Sequence, residues 1–103
     1  MTQVSSLVDS AISDNFVTVF SKSYCPYCRK AKGTISGLNL PADKPVKIFE
    51  LDELDNGDEI QAYLLSKTGQ RTVPNIFINH NHVGGNDKLQ ILAQTGQLKK
   101  LVA

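Results

Sequence analysis

The sequence has no tryptophan, one methionine and only two cysteines among 103 residues. No apolar run approaches the roughly 18 residues that a membrane-spanning helix needs, which excludes a helical span. An excess of one charge is lacking too. Eleven Lys and Arg against ten Asp and Glu leave a net charge of +1. That balance supplies no bulk attraction to nucleic acid or to an anionic membrane, so neither is expected as a partner. Repeats, low-complexity tracts and linker-like stretches are missing, which argues against a disordered or repetitive protein. The opening Met-Thr-Gln-Val-Ser-Ser-Leu has no basic stretch followed by a long apolar run, and it is not Arg-rich. No secretory or transit leader is expected, and a cytoplasmic location is.

What is present is an ordinary globular mix, 41% apolar and 20% charged. The length suits a single domain over residues 1–103. A domain of this size buries roughly 60–70% of its unfolded surface. Its cysteines are therefore not required as staples, and another reason for them is needed. They stand in Ser23-Tyr24-Cys25-Pro26-Tyr27-Cys28. A bridge between Cys25 and Cys28 closes a very short loop and stabilises less than a long one. Zinc asks for four ligands. The only histidines, His80 and His82, form His-x-His far downstream, so no metal is expected. A Cys-x-x-Cys at a strand-to-helix junction reads as a redox pair.

The hydrophobic pattern places that junction. Val4, Leu7, Val8, Ala11 and Ile12 follow helical spacing. Phe16 to Phe20 is a β-branched and aromatic run suited to a central strand buried on both faces. Pro26 fits the first position of a second helix, where its missing N–H costs nothing. Cys28, Ala31, Ile35 and Leu38 share that helix's inner face. Val46 to Leu51 reads as a second strand. A third helix starts within Asp55–Asp58, with Ile60, Tyr63, Leu64 and Leu65 inward and Gly69 as its stop. Ile76 to Ile78 is a third strand, and Asn79 to Asn81 turns into a short strand around His82-Val83. Gly84-Gly85-Asn86-Asp87 opens a fourth helix through Leu89, and Leu98 to Val102 forms a final turn. The order α-β-α-β-α-β-β-α predicts an α/β fold. It is a thioredoxin-like three-layer α/β/α sandwich around a four-stranded mixed sheet, with a parallel first crossover and an antiparallel hairpin at one edge.

Physical chemistry assigns the two sulfurs. The thiolate is the reactive species. Cys25 precedes the first turn of a helix, where unpaired N–H groups and the positive dipole end favour an anion. Cys28 lies one turn inside and should be more buried. Residues 22–47 hold six bases and one acid, while residues 48–62 hold six acids and no base. Lys30 and Lys32 are read as a solvated helix face. For a thiol lowered from ~8.5 to ~5, the thiolate fraction at pH 7 rises about thirtyfold. Intrinsic nucleophilicity falls by a similar factor, since the Brønsted slope is ~0.4–0.5. The remaining gain lies in the leaving group: a low-pKa thiolate is expelled faster when a second thiol attacks.

The runs Ser21 to Cys28 (SKSYCPYC), Gly69 to Asn79 (GQRTVPNIFIN) and Val83 to Asp87 (VGGND) resemble the dithiol glutaredoxins. They occur in that family's order and spacing, over essentially residues 3–103. The resemblance implies a glutathione-disulfide oxidoreductase, with glutathione as co-substrate. It would act as a monomer on glutathionylated or disulfide-bonded proteins. It also implies a cis peptide before Pro74, Cys25 as the attacking and Cys28 as the resolving cysteine. The implied glutathione site comprises Lys22, Tyr27, Gln61, Thr72, Val73, Pro74, Gly85, Asn86 and Asp87. In that site Val73 offers backbone, the helix start at Asn86-Asp87 takes one carboxylate, Asp87 takes the ammonium, and Lys22 and Gln61 take the other carboxylate. Two positions depart from the family pattern. Lys88 stands where many relatives have Asp, and His80 stands where a Gly is usual in the turn. His80 and His82 are read as surface residues without a catalytic role. Two other readings stay open: a dimer bridging an iron–sulfur cluster through Cys25, which Pro26 disfavours by stiffening the loop, and a thioredoxin-type reductant. The sulfur roles predict that Cys28→Ser retains most deglutathionylation and Cys25→Ser abolishes it. Equal loss in a turnover assay of both variants would contradict them.

Overall fold

The computed structural model describes residues 2–103. Along the chain the elements are α1 (Thr2–Asp14), β1 (Val17–Ser21), α2 (Pro26–Ser36), β2 (Val46–Glu50), α3 (Gly57–Thr68), β3 (Asn75–Ile78), β4 (Asn81–Gly84), α4 (Asn86–Gln94) and α5 (Gln97–Val102), with a 3-10 turn at Leu51–Glu53. The sheet order is β2-β1-β3-β4. β1 pairs in parallel with β2 and antiparallel with β3, and β3 pairs antiparallel with β4. This is the four-stranded mixed sheet expected from the sequence.

All five residues of β1 are buried, because its alternating side chains feed two cores. Phe20 packs with Val8 and Ile12 of α1 and with Ile60 and Leu64 of α3. Val17 and Val19 pack with Ala31 and Ile35 of α2, Leu89 of α4 and Leu98 of α5. Helices therefore cover both faces, giving the three-layer sandwich. Thr18 is the polar exception in the strand. Its hydroxyl donates to the Ala11 carbonyl at 3.1 Å, which satisfies it inside the core.

Some inward assignments fail at the margins of the helical stripe. Leu7 and Leu65 are 37% and 43% exposed. The buried positions of α1 are Val4, Val8, Ala11 and Ile12, a narrower stripe that leaves Leu7 on its rim. Leu51 leaves the strand and opens the 3-10 turn, burying its side chain in the α1/α3 core. Lys32 is not a free solvated charge: its Nζ lies 2.6 Å from Glu50 Oε2, tying α2 to β2.

The β3–β4 hairpin turns on Asn79 and His80, with φ of 50° and 70°. Positive φ at both central residues suits a two-residue hairpin. The cost at His80 is offset locally, because its Nδ1 donates to the Ile12 carbonyl at 2.8 Å. In β4 the pairing passes from Phe77↔His82 to Ile76↔Gly84, which leaves Val83 as a bulge. Gly84, at φ 121°, then turns the chain into α4. A Cβ there would meet Lys88 Cδ at 3.1 Å.

Among the glycines, the one with least room for a side chain is Gly57, the first residue of α3. A Cβ there would lie 2.0 Å from the Leu51 carbonyl oxygen. Gly57→Ala must push the 3-10 turn off α3, and overpacking of this kind costs about 1–3 kcal/mol or more. Urea unfolding of the variant should show that loss with the fold retained; an unchanged midpoint would contradict the contact.

Candidate active site

Sheet register brings the loops of interest to one end of the molecule. β1 runs directly into the cysteine loop. Phe20 pairs with Asn75, so the segment entering β3 lies beside the segment leaving β1. Ile76 pairs with Gly84, which sets the start of α4 next to both. The Val73–Pro74 peptide bond is cis, as the resemblance implies.

Cys25 is the N-cap of α2, in extended conformation, with Pro26 in the first turn. Its N–H donates to the Lys22 carbonyl at 3.1 Å, and its carbonyl accepts the Arg29 N–H at 3.0 Å. The residue is half-buried. Burial pushes its pKa up, but the N–H and thiol of Cys28, the N–H of Tyr27 and the Arg29 guanidinium outweigh that and hold it below the ordinary thiol value. The thiol makes no close capping bond; the open N–H groups act through their orientation. Cys28 shows the opposite balance. It is fully buried, and burial pushes its thiol up. The Lys22 N–H, 3.5 Å from its sulfur, and Ser21 pull the other way, while neighbouring Cys25 adds to the rise. One turn of helix thus separates a sulfur that ionises easily from one that resists it.

The cysteine loop is anchored from outside. Ser23 donates its N–H to Asp52 Oδ1 at 2.9 Å, and its hydroxyl bonds the other carboxylate oxygen. These two bonds hold the Asp52 carboxyl below the usual carboxylate range.

Beside the cysteines runs a groove of about 600 Å³, lined by Tyr27, Gln70, Thr72, Val73, Pro74, His82, Gly84, Gly85, Asn86, Asp87 and Lys88. Seven residues expected from the sequence share it: Tyr27, Thr72, Val73, Pro74, Gly85, Asn86 and Asp87. It meets the cysteine helix through Tyr27, which is 64% exposed. Lys22 and Gln61 lie outside this lining. Lys22 is half-buried in the loop before Cys25. Gln61 is buried, and its Nε2 donates to the Arg71 carbonyl at 3.1 Å, so α3 fixes the base of the segment that carries Thr72 and Val73.

Sequence reasoning missed Gln70 and His82 as lining residues. His82 is exposed, as expected, but not unattached: its Nε2 donates to Asn75 Oδ1 at 2.8 Å and its ring packs on Phe77. Burial and the Lys88 charge lower its pKa, which favours the neutral ring. A polar residue two places before Thr72 carries no periodic signal, so nothing in the sequence marked Gln70. Among the described residues no group of three or more His, Cys, Asp or Glu is arranged to hold a metal ion.

A thiol at a helix start, a buried partner one turn on and a cis-proline strip define a thioredoxin-like thiol–disulfide exchange site. Known proteins narrow the class. The Glutaredoxin family profile matches residues 17–83. Glutaredoxin-2 of Schizosaccharomyces pombe is 49% identical over 96 residues, covering 93% of this chain and 84% of its own. Glutaredoxin-1 of Rhizophagus irregularis is 48% identical over 103 residues, covering 100% and 98%. Among solved structures, a buckwheat glutaredoxin–glutathione complex superposes with a TM-score of 0.89 at 37% identity, covering 98% of this chain and 88% of that one. The chain belongs to the glutaredoxin family.

The two sulfurs should separate by pH in alkylation with iodoacetamide followed by peptide mapping. Cys25 should stay reactive as pH falls below the ordinary thiol range, slowing only as pH passes its own lowered pKa. Cys28 should label in the folded protein only above that range. Comparable labelling of both at neutrality would contradict the opposed shifts.

Proposed function

We propose that Cys25 is the nucleophile and Cys28 the resolving thiol of a glutathione-dependent thiol–disulfide oxidoreductase, and that the groove beside them receives glutathione. One observation carries the reading: Cys25 caps the open start of α2 while Cys28, one turn on, is fully buried, which shifts the first thiol down and the second up. The groove supports it. Its volume falls within the roughly 300–1,000 Å³ of small-molecule sites, and its walls combine open backbone with the α4 N-terminus.

The exchange follows from these positions. Cys25 thiolate attacks the glutathione sulfur of a glutathionylated protein; the S–S bond breaks, and the protein thiolate leaves and takes up a proton. Cys25 then carries glutathione as a mixed disulfide. A second glutathione thiolate attacks that glutathione's sulfur, oxidised glutathione departs, and Cys25 returns as thiolate. In the dithiol route, deprotonated Cys28 attacks Cys25 instead, expelling glutathione thiolate and leaving a Cys25–Cys28 disulfide. Burial of Cys28 works against its deprotonation in that route. The interactions that lower the Cys25 pKa make it a better leaving group in the second step.

For the ligand's ends, the open N–H groups at Asn86 and Asp87 suit a carboxylate, and the Asp87 carboxylate suits an ammonium. Lys88 lines the same end of the groove and weakens that second contact. Lys22 and Gln61 are assigned to the glycine end on family resemblance alone. We further assign the chain as a single domain over 1–103, a monomer acting on glutathionylated proteins, located in the cytoplasm. With glutathione as sole reductant, and glutathione reductase to recycle it, the protein should turn over a glutathionylated peptide. Inertness there, with activity restored by a thioredoxin reductase, would overturn the reading in favour of a thioredoxin-type reductant.

A further inference from the structure

The segment that presents Val73 is not held by regular secondary structure. It lies between the end of α3 and the start of β3, yet it borders the groove. Gln70 accounts for its order. Its Nε2 donates to the Thr72 carbonyl at 3.0 Å and to the Pro74 carbonyl at 3.0 Å. An amide nitrogen has two hydrogens, and here both are used, one on each side of Val73. The peptide unit joining Thr72 to Val73 is planar, with its C=O and N–H opposed when trans. Drawing the Thr72 carbonyl toward Gln70 therefore turns the Val73 N–H away from it. Among the described residues no hydrogen bond engages the backbone N–H or C=O of Val73. Gln70 thus leaves one donor and one acceptor of the strip open for a ligand.

Gln70 is itself fixed at both backbone ends. Its N–H donates to Thr68 Oγ1 at 3.0 Å. Its carbonyl accepts from Asn75 Nδ2 at 3.3 Å, and Asn75 is 1% exposed. Asn75 Oδ1 in turn accepts from His82 Nε2 at 2.8 Å. The chain of contacts runs from β4 through β3 into the groove wall, so the strip is ordered before any ligand arrives.

We propose that Gln70 is a positioning residue for substrate binding: by clamping the carbonyls on either side of Val73, it pre-orders a backbone edge that pairs with the extended peptide backbone of a glutathionyl ligand. The proposal rests on the glutathione reading above and adds the residue that sets the geometry of its backbone subsite. Ordering the strip in advance removes a cost from binding. It does not touch the sulfur chemistry, because Gln70 is not among the groups that set the Cys25 or Cys28 pKa.

The test uses the full chain with a glutathionylated peptide as varied substrate. Gln70→Ala removes the amide. Gln70→Glu keeps its shape but, as a carboxylate at neutral pH, cannot donate. Both should raise KM about tenfold with kcat nearly unchanged, the pattern of lost ground-state binding. The rate and pH profile of Cys25 alkylation by iodoacetamide should match wild type within about twofold, which a generally loosened site would not give. An unchanged KM in either variant would overturn the proposal. So would parallel loss of KM and alkylation behaviour, or loss of the folded circular dichroism signal in both variants, since Gln70 would then be structural. Wild-type inertness with glutathione would sink the underlying reading and this proposal with it. Wild-type turnover with unaffected variants would sink the proposal alone.

Discussion

The site depends on a vacancy at the start of α2. β1 ends at Ser21, α2 begins at Pro26, and Cys25 occupies the cap between them. The first N–H groups of a helix have no partner in the helix. Ser, Thr, Asp or Asn commonly fills that position with an oxygen; here a sulfur does, and it makes no close capping bond. The same dipoles that would stabilise a cap thus remain available to a thiolate. Pro26 contributes by lacking an N–H of its own and by fixing the first helical φ. The position acts on chemistry mainly through the leaving group, because a stabilised thiolate attacks less strongly but departs more readily.

The second constraint is the sheet register. An antiparallel pairing of β1 with β3 places the strip before β3 next to the loop after β1. The bulge at Val83 and the positive φ of Gly84 then aim α4 at the same spot. No single loop makes the groove. Backbone from two segments and the start of one helix converge because three neighbouring strands end together. That arrangement exposes main-chain donors and acceptors of the kind a peptide-like ligand can pair with. Side chains with specific contacts, Gln70 in the groove wall and the buried Asn75 behind it, bond to that backbone.

Much of this was legible in the sequence. The buried run before Cys25 predicted β1 as the central strand, Pro26 predicted the start of α2, and Gly69 predicted the stop of α3, where φ is 80°. These are local signals with steep local physics. The Val73–Pro74 cis bond came through resemblance, as did the residues proposed for glutathione, since spacing carries no such information. Features that depend on where distant chains meet were not legible. Lys32 looked like one lysine of a solvated face, but Glu50 from the neighbouring strand pairs with it. His80 stood where a Gly is usual, and nothing local showed that Ile12 of α1 would supply its ring an acceptor. Gln70 and His82 act through contacts with Thr72, Pro74 and Asn75 that depend on a bent loop and a strand register. Leu7 and Leu65 matched helical spacing, yet they sit where the inner stripe meets solvent.

The central claim is that the fold holds the Cys25 thiol below the ordinary thiol pKa. The most direct measurement is the ultraviolet absorbance of the thiolate against pH, recorded for the Cys28→Ser protein so that one sulfur is observed. A titration midpoint well below that of a free cysteine, returning to the ordinary value on unfolding in guanidinium, is the predicted result. A midpoint in the folded protein equal to or above the unfolded one would contradict the account.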